Sequence, residues 1–412
     1  MYTRTKQLLD LYSRFWRESP TDPPELPTVF TLEEQQQREA GLDVFMDKLS
    51  QRPKTVPETE PERRAARQQF FSKLRVMAGS LLGFDRQQLD VIFSPAATQS
   101  AAEFVARARK FDPGIKPEDI YQAARNVWAM NGLQYLLGLK VELTPSIFAY
   151  SLLYPYSDNY LDDPAIPVDV KCKFNERFGR RINGEKVKPA NGHEQRVFDL
   201  IGEIEGQWDR RRFPQVYGSL IAIHIAQIKS LSLLHHNGSA QCVDVTGIAL
   251  EKGGASVLAD GYLIAGKLTE EQAEFMFGYG AYLQLVDDLQ DVREDKSAGL
   301  LTVFTRNNGT MPLDAVANKT FHFSQKVMRS LDGFALNGRT APVKKILRET
   351  ALALLINAAG RAIDYFTPEY QTMLQNHSPY RFSYLAEKKQ KLSNNKTSPA
   401  HWMQVFAEGG ID

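Results

Sequence analysis

The chain is poor in cysteine. Its 412 residues include two, Cys172 and Cys242, far apart and outside any CxxC spacing. That pattern excludes a disulfide framework and a cysteine-based zinc site and suits a reducing compartment, so the expected location is cytoplasmic. Net charge is almost absent: 50 Lys and Arg against 49 Asp and Glu leave +1 at pH 7, a balance that argues against nucleic acid as the main partner. No run of eighteen apolar residues is free of strongly polar groups. The best stretch, from Val216 to Leu234, carries His224, Gln227 and Lys229 and reads as a buried helix, so no transmembrane segment is expected. The N-terminus lacks the apolar core of a secretory signal. Strand patterns are few, and neither an internal repeat nor a low-complexity tract is present.

What is present is 43% hydrophobic and 24% charged residues, ample material for a globular core. Residues 1–60 read as an N-terminal extension, with two helical segments separated by the proline-rich connectors TDPPELP and KTVPETEP. In its first helix Leu8, Leu9, Tyr12, Phe15 and Trp16 form one face. That face could bind a membrane surface or serve as a transit peptide, but packing on the protein's own body is the expectation. Residues 61–412 read as one all-α domain. Helical patterns run over Glu62–Leu82, Ala97–Lys110, Pro117–Leu139, Pro145–Asp162, Glu194–Trp208, Pro214–Leu234, Val243–Ala265 and Thr269–Glu294, with the longest loop over Pro164–His193. Thr144-Pro145, Lys116-Pro117-Glu118 and Thr269-Glu270-Glu271 mark starts by cap, first-turn proline or first-turn acids. A bundle with its ligand site between facing helices follows.

The chemistry concentrates in Phe275–Thr302, where an apolar helical run abruptly carries several acids. At about 100° per residue, Asp287, Asp291 and Asp295 follow one another along one stripe, with Asp288 and Gln284 in the same sector. Like charges this close repel, and a partly buried set needs divalent ions or a basic ligand. Magnesium fits, because it takes one or two protein carboxylates per ion and fills its other positions with water and phosphate oxygens. Gly278 and Gly280 interrupt the same run, a cost of roughly 1 kcal/mol each relative to Ala that is accepted where a facing helix or ligand must come close.

A second helix, TPSIFAYSLLYPYSDNYLDDP, brings Asp158 and Asp162 to one face, with Pro155 one turn earlier. Two apolar helices that each end in acids resemble the class I isoprenoid synthases: trans-prenyl diphosphate synthases, class I terpene cyclases and squalene/phytoene synthases. The resemblance covers roughly Leu139 to Thr302. EKGGASVLADGYLIAGKLTEEQAEFMFGYGAYLQLVDDLQDVREDKSAG is similar to the prenyl synthase order of a lysine, small residues and Gln-x-x-Asp-Asp-x-x-Asp. The same stretch resembles the squalene/phytoene pattern through Leu283, Gln284, Asp291, Glu294 and Asp295. DNYLD has the DxxxD form of the squalene branch and of several terpene cyclases.

The resemblance implies the helical bundle of that family, with a central active-site cavity. It implies that Asp158, Asp162, Asp287, Asp288 and Asp291, with Asp295, hold magnesium, three ions when substrate is bound, and that these grip a linear prenyl diphosphate. Lys252, Gln284 and Lys296 are the implied diphosphate contacts, with Arg381 and Tyr384 as an arginine–tyrosine cap. Tyr154, Ser151, Ile147 and Gly280 are the candidate cavity residues, Tyr154 on the face of Asp158. No arginine lies between Arg212 and Arg293, where many cyclases carry a diphosphate sensor, which leaves Lys229, Lys252 and Lys296 as cations. The family also lays an N-terminal segment across the cavity mouth, and it allows a homodimer. Chain elongation needs a second diphosphate site. The expected GGKRxR-like motif is missing and only Arg180-Arg181 offers a basic pair, so the nearest reading is a bacterial- or fungal-type terpene cyclase. A prenyl-elongating synthase comes second and a head-to-head synthase third.

Overall fold

Apolar residues at helical spacing need a neighbouring helix to cover them, and the computed structural model satisfies them that way. It describes residues 2–50, 59–234, 243–306, 311–334 and 340–394. Among these the chain is all-α. Its helices are α1 (Tyr2–Glu18), α2 (Leu32–Ser50), α3 (Glu60–Ser80), α4 (Arg86–Ile92), α5 (Pro95–Phe111), α6 (Pro117–Leu136), α7 (Pro145–Asp162), α8 (Val168–Ile182) and α9 (Gly192–Gln207). They continue as α10 (Pro214–Ser230), α11 (Val245–Ala265), α12 (Glu270–Gln290), α13 (Val292–Ala298), α14 (Asp314–Arg329), α15 (Thr340–Arg361), α16 (Pro368–Asn376) and α17 (Phe382–Asn394). The described residues contain no strand, only an isolated bridge between Leu234 and Leu300.

The starts follow the local chemistry. Thr144 accepts from the Ile147 N–H at 3.2 Å, with Pro145 in the first turn of α7. Thr269 and Gln272 cap α12 reciprocally, satisfying two of the N–H groups a helix start leaves open. The region expected as the longest loop contains α8, whose Phe174, Phe178 and Ile182 are buried at four-residue intervals.

The core pair is α11 against α12. A Cβ on Gly280 would lie 2.1 Å from the Gly253 carbonyl oxygen, and one on Gly253 would lie 2.3 Å from the Gly280 oxygen. The two backbones touch, which only glycine permits. Gly254 and Gly278 likewise leave room for the rings of Phe277 and Tyr12. The glycines therefore set helix–helix distance, and that distance brings Lys252 beside the acid-bearing end of α12.

The amphipathic face of α1 is spent inside the protein. Leu8, Tyr12 and Trp16 are buried in the main core, and the Tyr12 hydroxyl donates to the Glu274 carbonyl at 2.8 Å. The following connector lies along α14, where Asn318 donates to the Thr21 carbonyl at 2.8 Å and Gln325 to that of Glu25 at 3.4 Å. No residue of α1 lines the cavity described below, so this helix packs on the body instead of crossing the mouth.

One described helix, Pro214–Leu233, is long and apolar enough to cross a membrane by length and composition. Two of its polar groups are engaged within the bundle: Gln227 donates to both Asp158 carboxylate oxygens at 3.0 Å, and Lys229 pairs with Glu251 at 2.7 Å. Such an isolated segment is no clear transmembrane span.

Candidate active site

The C-terminal half of α7, the middle of α11 and the C-terminal half of α12 converge on one cavity of about 830 Å³. Asp158 and Tyr154 line it from α7, Lys252 and Gly253 from α11, and Gly280, Gln284 and Asp287 from α12. Six of these seven, all but Gly253, are site candidates from the sequence, and they share a single space. The Tyr154 hydroxyl is pushed up by burial and then by Asp158 and Asp287, so one phenol lies in the field of both acidic walls. Below these groups the walls are mostly apolar and aromatic, with Tyr150, Phe178, Leu220, Val257 and Tyr279 among them. Phe178 comes from α8, within the stretch expected to be a loop.

The acids of α12 and α13 crowd one another. Asp287 is pushed up by burial and then by Asp291. Asp288 is buried, accepts from Gln284 Nε2 at 2.8 Å, and is pushed up to about 7, chiefly by burial. Asp295 is also pushed up to about 7, by burial, then by Asp291 and Asp287. Lys252 opposes all three shifts. The stripe is not one straight helix, because Asp291 closes α12 at φ −104° and ψ 15° before α13 begins. The turn geometry nearly survives, with the Asp295 N–H donating to the Asp291 carbonyl at 2.8 Å. Asp291 Oδ1 also lies 3.9 Å from an Arg361 nitrogen.

Other candidates stand elsewhere. Asp288, Asp291 and Asp295 are not among the cavity-lining residues. Ile147 and Ser151 are fully buried in the body of α7, although Ser151 Oγ accepts from Asn126, a lining residue, at 3.2 Å. Lys296 is exposed, 5.7 Å from the Tyr365 ring centre. Arg381 forks onto Glu39 at 2.6 and 3.0 Å, and Tyr384 donates to Asp43 at 2.7 Å. These two residues clamp α17 to α2 and do not cap the cavity. Arg180 and Arg181 are tied to Glu185 and Glu205 at 2.8 and 2.5 Å, and neither lines the cavity. The side chain of Asp162, like Cys242, lies outside the described part of the structure.

Among the lining residues to which the sequence reading gave no site role are Arg125 and Asn126 on α6, Gln227 on α10 and Asp260 on α11. Their signal was present. RN interrupts the apolar face of α6, and Asp260 is a lone acid in SVLADGYLIAG. Arg125 opposes the upward shifts of Tyr154 and Asp287, so it adds a cation at the acidic rim.

Among the described residues no three His, Cys, Asp or Glu side chains converge closely enough to hold a metal by themselves. Magnesium does not need three, since one or two carboxylates with water and phosphate complete its octahedron. The donor set is all hard oxygen, and its mutual repulsion on α12 is what a divalent cation relieves. No protein-family model matches the chain, and no curated protein matches it in sequence, so the functional reading rests on the residues and geometry of this cavity.

Proposed function

We propose that the protein is a class I terpene synthase, which ionises one linear allylic prenyl diphosphate with magnesium to give a terpene hydrocarbon or alcohol plus diphosphate. The observation that carries this reading is the opening of two acid-bearing helix ends and Lys252 onto a single, largely apolar cavity. Asp158 and Asp287, together with Asp162, Asp288, Asp291 and Asp295, would hold the ions. Bound there, magnesium would neutralise the charge that develops on the departing diphosphate. Lys252 and Arg125 face the same rim and would bind its oxygens directly. Gln227 fixes Asp158 through both carboxylate oxygens, so that wall is oriented before ligand arrives. Tyr150, Tyr154 and Tyr279 would hold the hydrocarbon away from water and present ring faces to a cation.

Head-to-tail elongation and head-to-head coupling each bring a second diphosphate, a further multiply charged anion that a carboxylate-rich cavity compensates poorly. Arg180 and Arg181 are committed to acids of their own. Chain elongation is retained as the second reading because Arg125, exposed at the rim, could serve another diphosphate. The test is separate incubation with C10, C15, C20 and C25 prenyl diphosphates and magnesium, read by gas chromatography–mass spectrometry and diphosphate release. A volatile product plus diphosphate, abolished by chelator, is expected. No diphosphate release from any substrate would contradict the assignment.

A further inference from the structure

Asp260 stands apart from the acidic rim. It lines the cavity from α11 and is 4% exposed. It lies eight residues beyond Lys252, about 12 Å along the helix. On α7, Tyr150 lies eight residues before Asp158, so both walls place their residues at the same depth. Asn126 Nδ2 reaches Asp260 Oδ1 at 3.4 Å and Ser151 Oγ at 3.2 Å. A polar cluster drawn from three helices is thereby built two turns below the rim, where an apolar wall would suffice to hold a hydrocarbon. Among the described residues Asp260 forms no ion pair, and a buried carboxyl without one costs stability.

We propose that Asp260 is the base that ends the reaction, taking a proton from the carbon beside the cationic centre of the bound hydrocarbon; this rests on the terpene synthase reading above. The C–H bond breaks, its electron pair becomes the new C=C bond and cancels the positive charge, and the proton moves to an Asp260 carboxylate oxygen. The neutral acid left behind is the form its surroundings favour, and the proton passes to solvent after product leaves. Burial pushes the Asp260 carboxyl up to about 8, close to the working pH at which a general base is most effective. The carboxylate therefore becomes the major form only as pH rises through that value.

Titratable groups that also line the cavity away from the rim include Tyr150 on α7, His224 on α10 and Tyr279 on α12. Burial raises both tyrosines and lowers His224 to about 4, so none of the three changes charge between pH 6 and about 9. Arg125, Tyr154, Asp158, Lys252 and Asp287 belong to the rim, and any pH response of theirs persists when Asp260 alone is replaced.

The experiment compares the full-length wild type with Asp260→Asn, using the accepted prenyl diphosphate and magnesium from pH 6 to 9, and measures diphosphate release and volatile products. In the wild type the share of the major olefin should rise through pH 8. In Asp260→Asn that share should fall about tenfold or more and lose its pH response, while diphosphate release falls by a smaller factor. An unchanged product profile in the variant, or a wild-type product ratio flat across the range, overturns the base assignment while leaving the synthase reading intact. Absence of diphosphate release from the wild type overturns both. If Asp260→Asn loses its helical circular dichroism, Asn126→Ala asks the same question by removing the hydrogen bond that orients the carboxyl. A product ratio shifted several-fold supports the proposal, and an unchanged one overturns it.

Discussion

The two acidic walls of the cavity hold their carboxylates in opposite ways. On α7, Asp158 receives Gln227 through both oxygens and Ser157 at 3.0 Å, so neutral donors set its direction. On α12 and α13, Asp287, Asp288 and Asp295 each have their proton affinity raised by burial and by neighbouring acids, Asp291 among them. One wall is oriented in advance and the other is electrostatically overloaded. The contrast teaches that a cation entering here gains geometry from α7 and relief of repulsion from α12, and each contribution can be removed separately.

The largest expected effect tests both walls. Asp158→Asn and Asp291→Asn should each lower turnover by about 10²- to 10³-fold while the helical circular dichroism signal stays intact. Near-wild-type turnover in either variant would break the comparison on that side. Gln227→Ala isolates orientation: a loss of about tenfold is expected, and no loss would show that Asp158 needs no fixing. The overloaded wall should differ in stability. Because Asp288 holds its proton up to about 7 when folded but ionises near 4 when unfolded, the folded state binds more protons between those values, and stability falls as pH rises through that window. Asp288→Asn should therefore raise the melting temperature at pH 8 by about a few degrees and flatten its dependence between pH 4 and 7. Magnesium should likewise stabilise the wild type and release protons on binding near pH 7. The smallest effect concerns Tyr154, which feels both walls. Tyr154→Ala should broaden the product mixture or favour a longer substrate, and an unchanged profile with only lost stability would assign it to packing.

Much of the fold was legible because its signals are local. Thr144-Pro145 and the reciprocal cap at Thr269 fix helix starts without help from the rest of the chain, and Gly278 and Gly280 advertise a close approach. What misled was tertiary. The burial of Phe174, Phe178 and Ile182 was hidden among the charges of α8, so a wall of the cavity read as a loop. The interruption at Asp291 does not show in periodicity because the turn nearly continues. Arg381 and Tyr384 resembled a cap by spacing alone, yet Glu39 and Asp43 are their partners across a separation of 342 and 341 residues. Arg125 and Asp260 reach the site from helices that carry no acidic motif, and only packing places them there. The amphipathic face of α1 was legible, but its partners Phe277 and Phe323 were not. Replacing Tyr12 by Ala should cost about 3 to 5 kcal/mol of stability, measured by denaturant unfolding, and leave the product ratio unchanged.

The central claim is that this cavity serves one diphosphate. The direct measurement is incubation of the full chain with an allylic prenyl diphosphate, magnesium and isotopically labelled isopentenyl diphosphate, followed by analysis of volatile and diphosphate-bearing products. The account predicts a terpene hydrocarbon or alcohol free of label, formed with release of diphosphate. Label built into a longer prenyl diphosphate, with no volatile product from the allylic substrate alone, would contradict it.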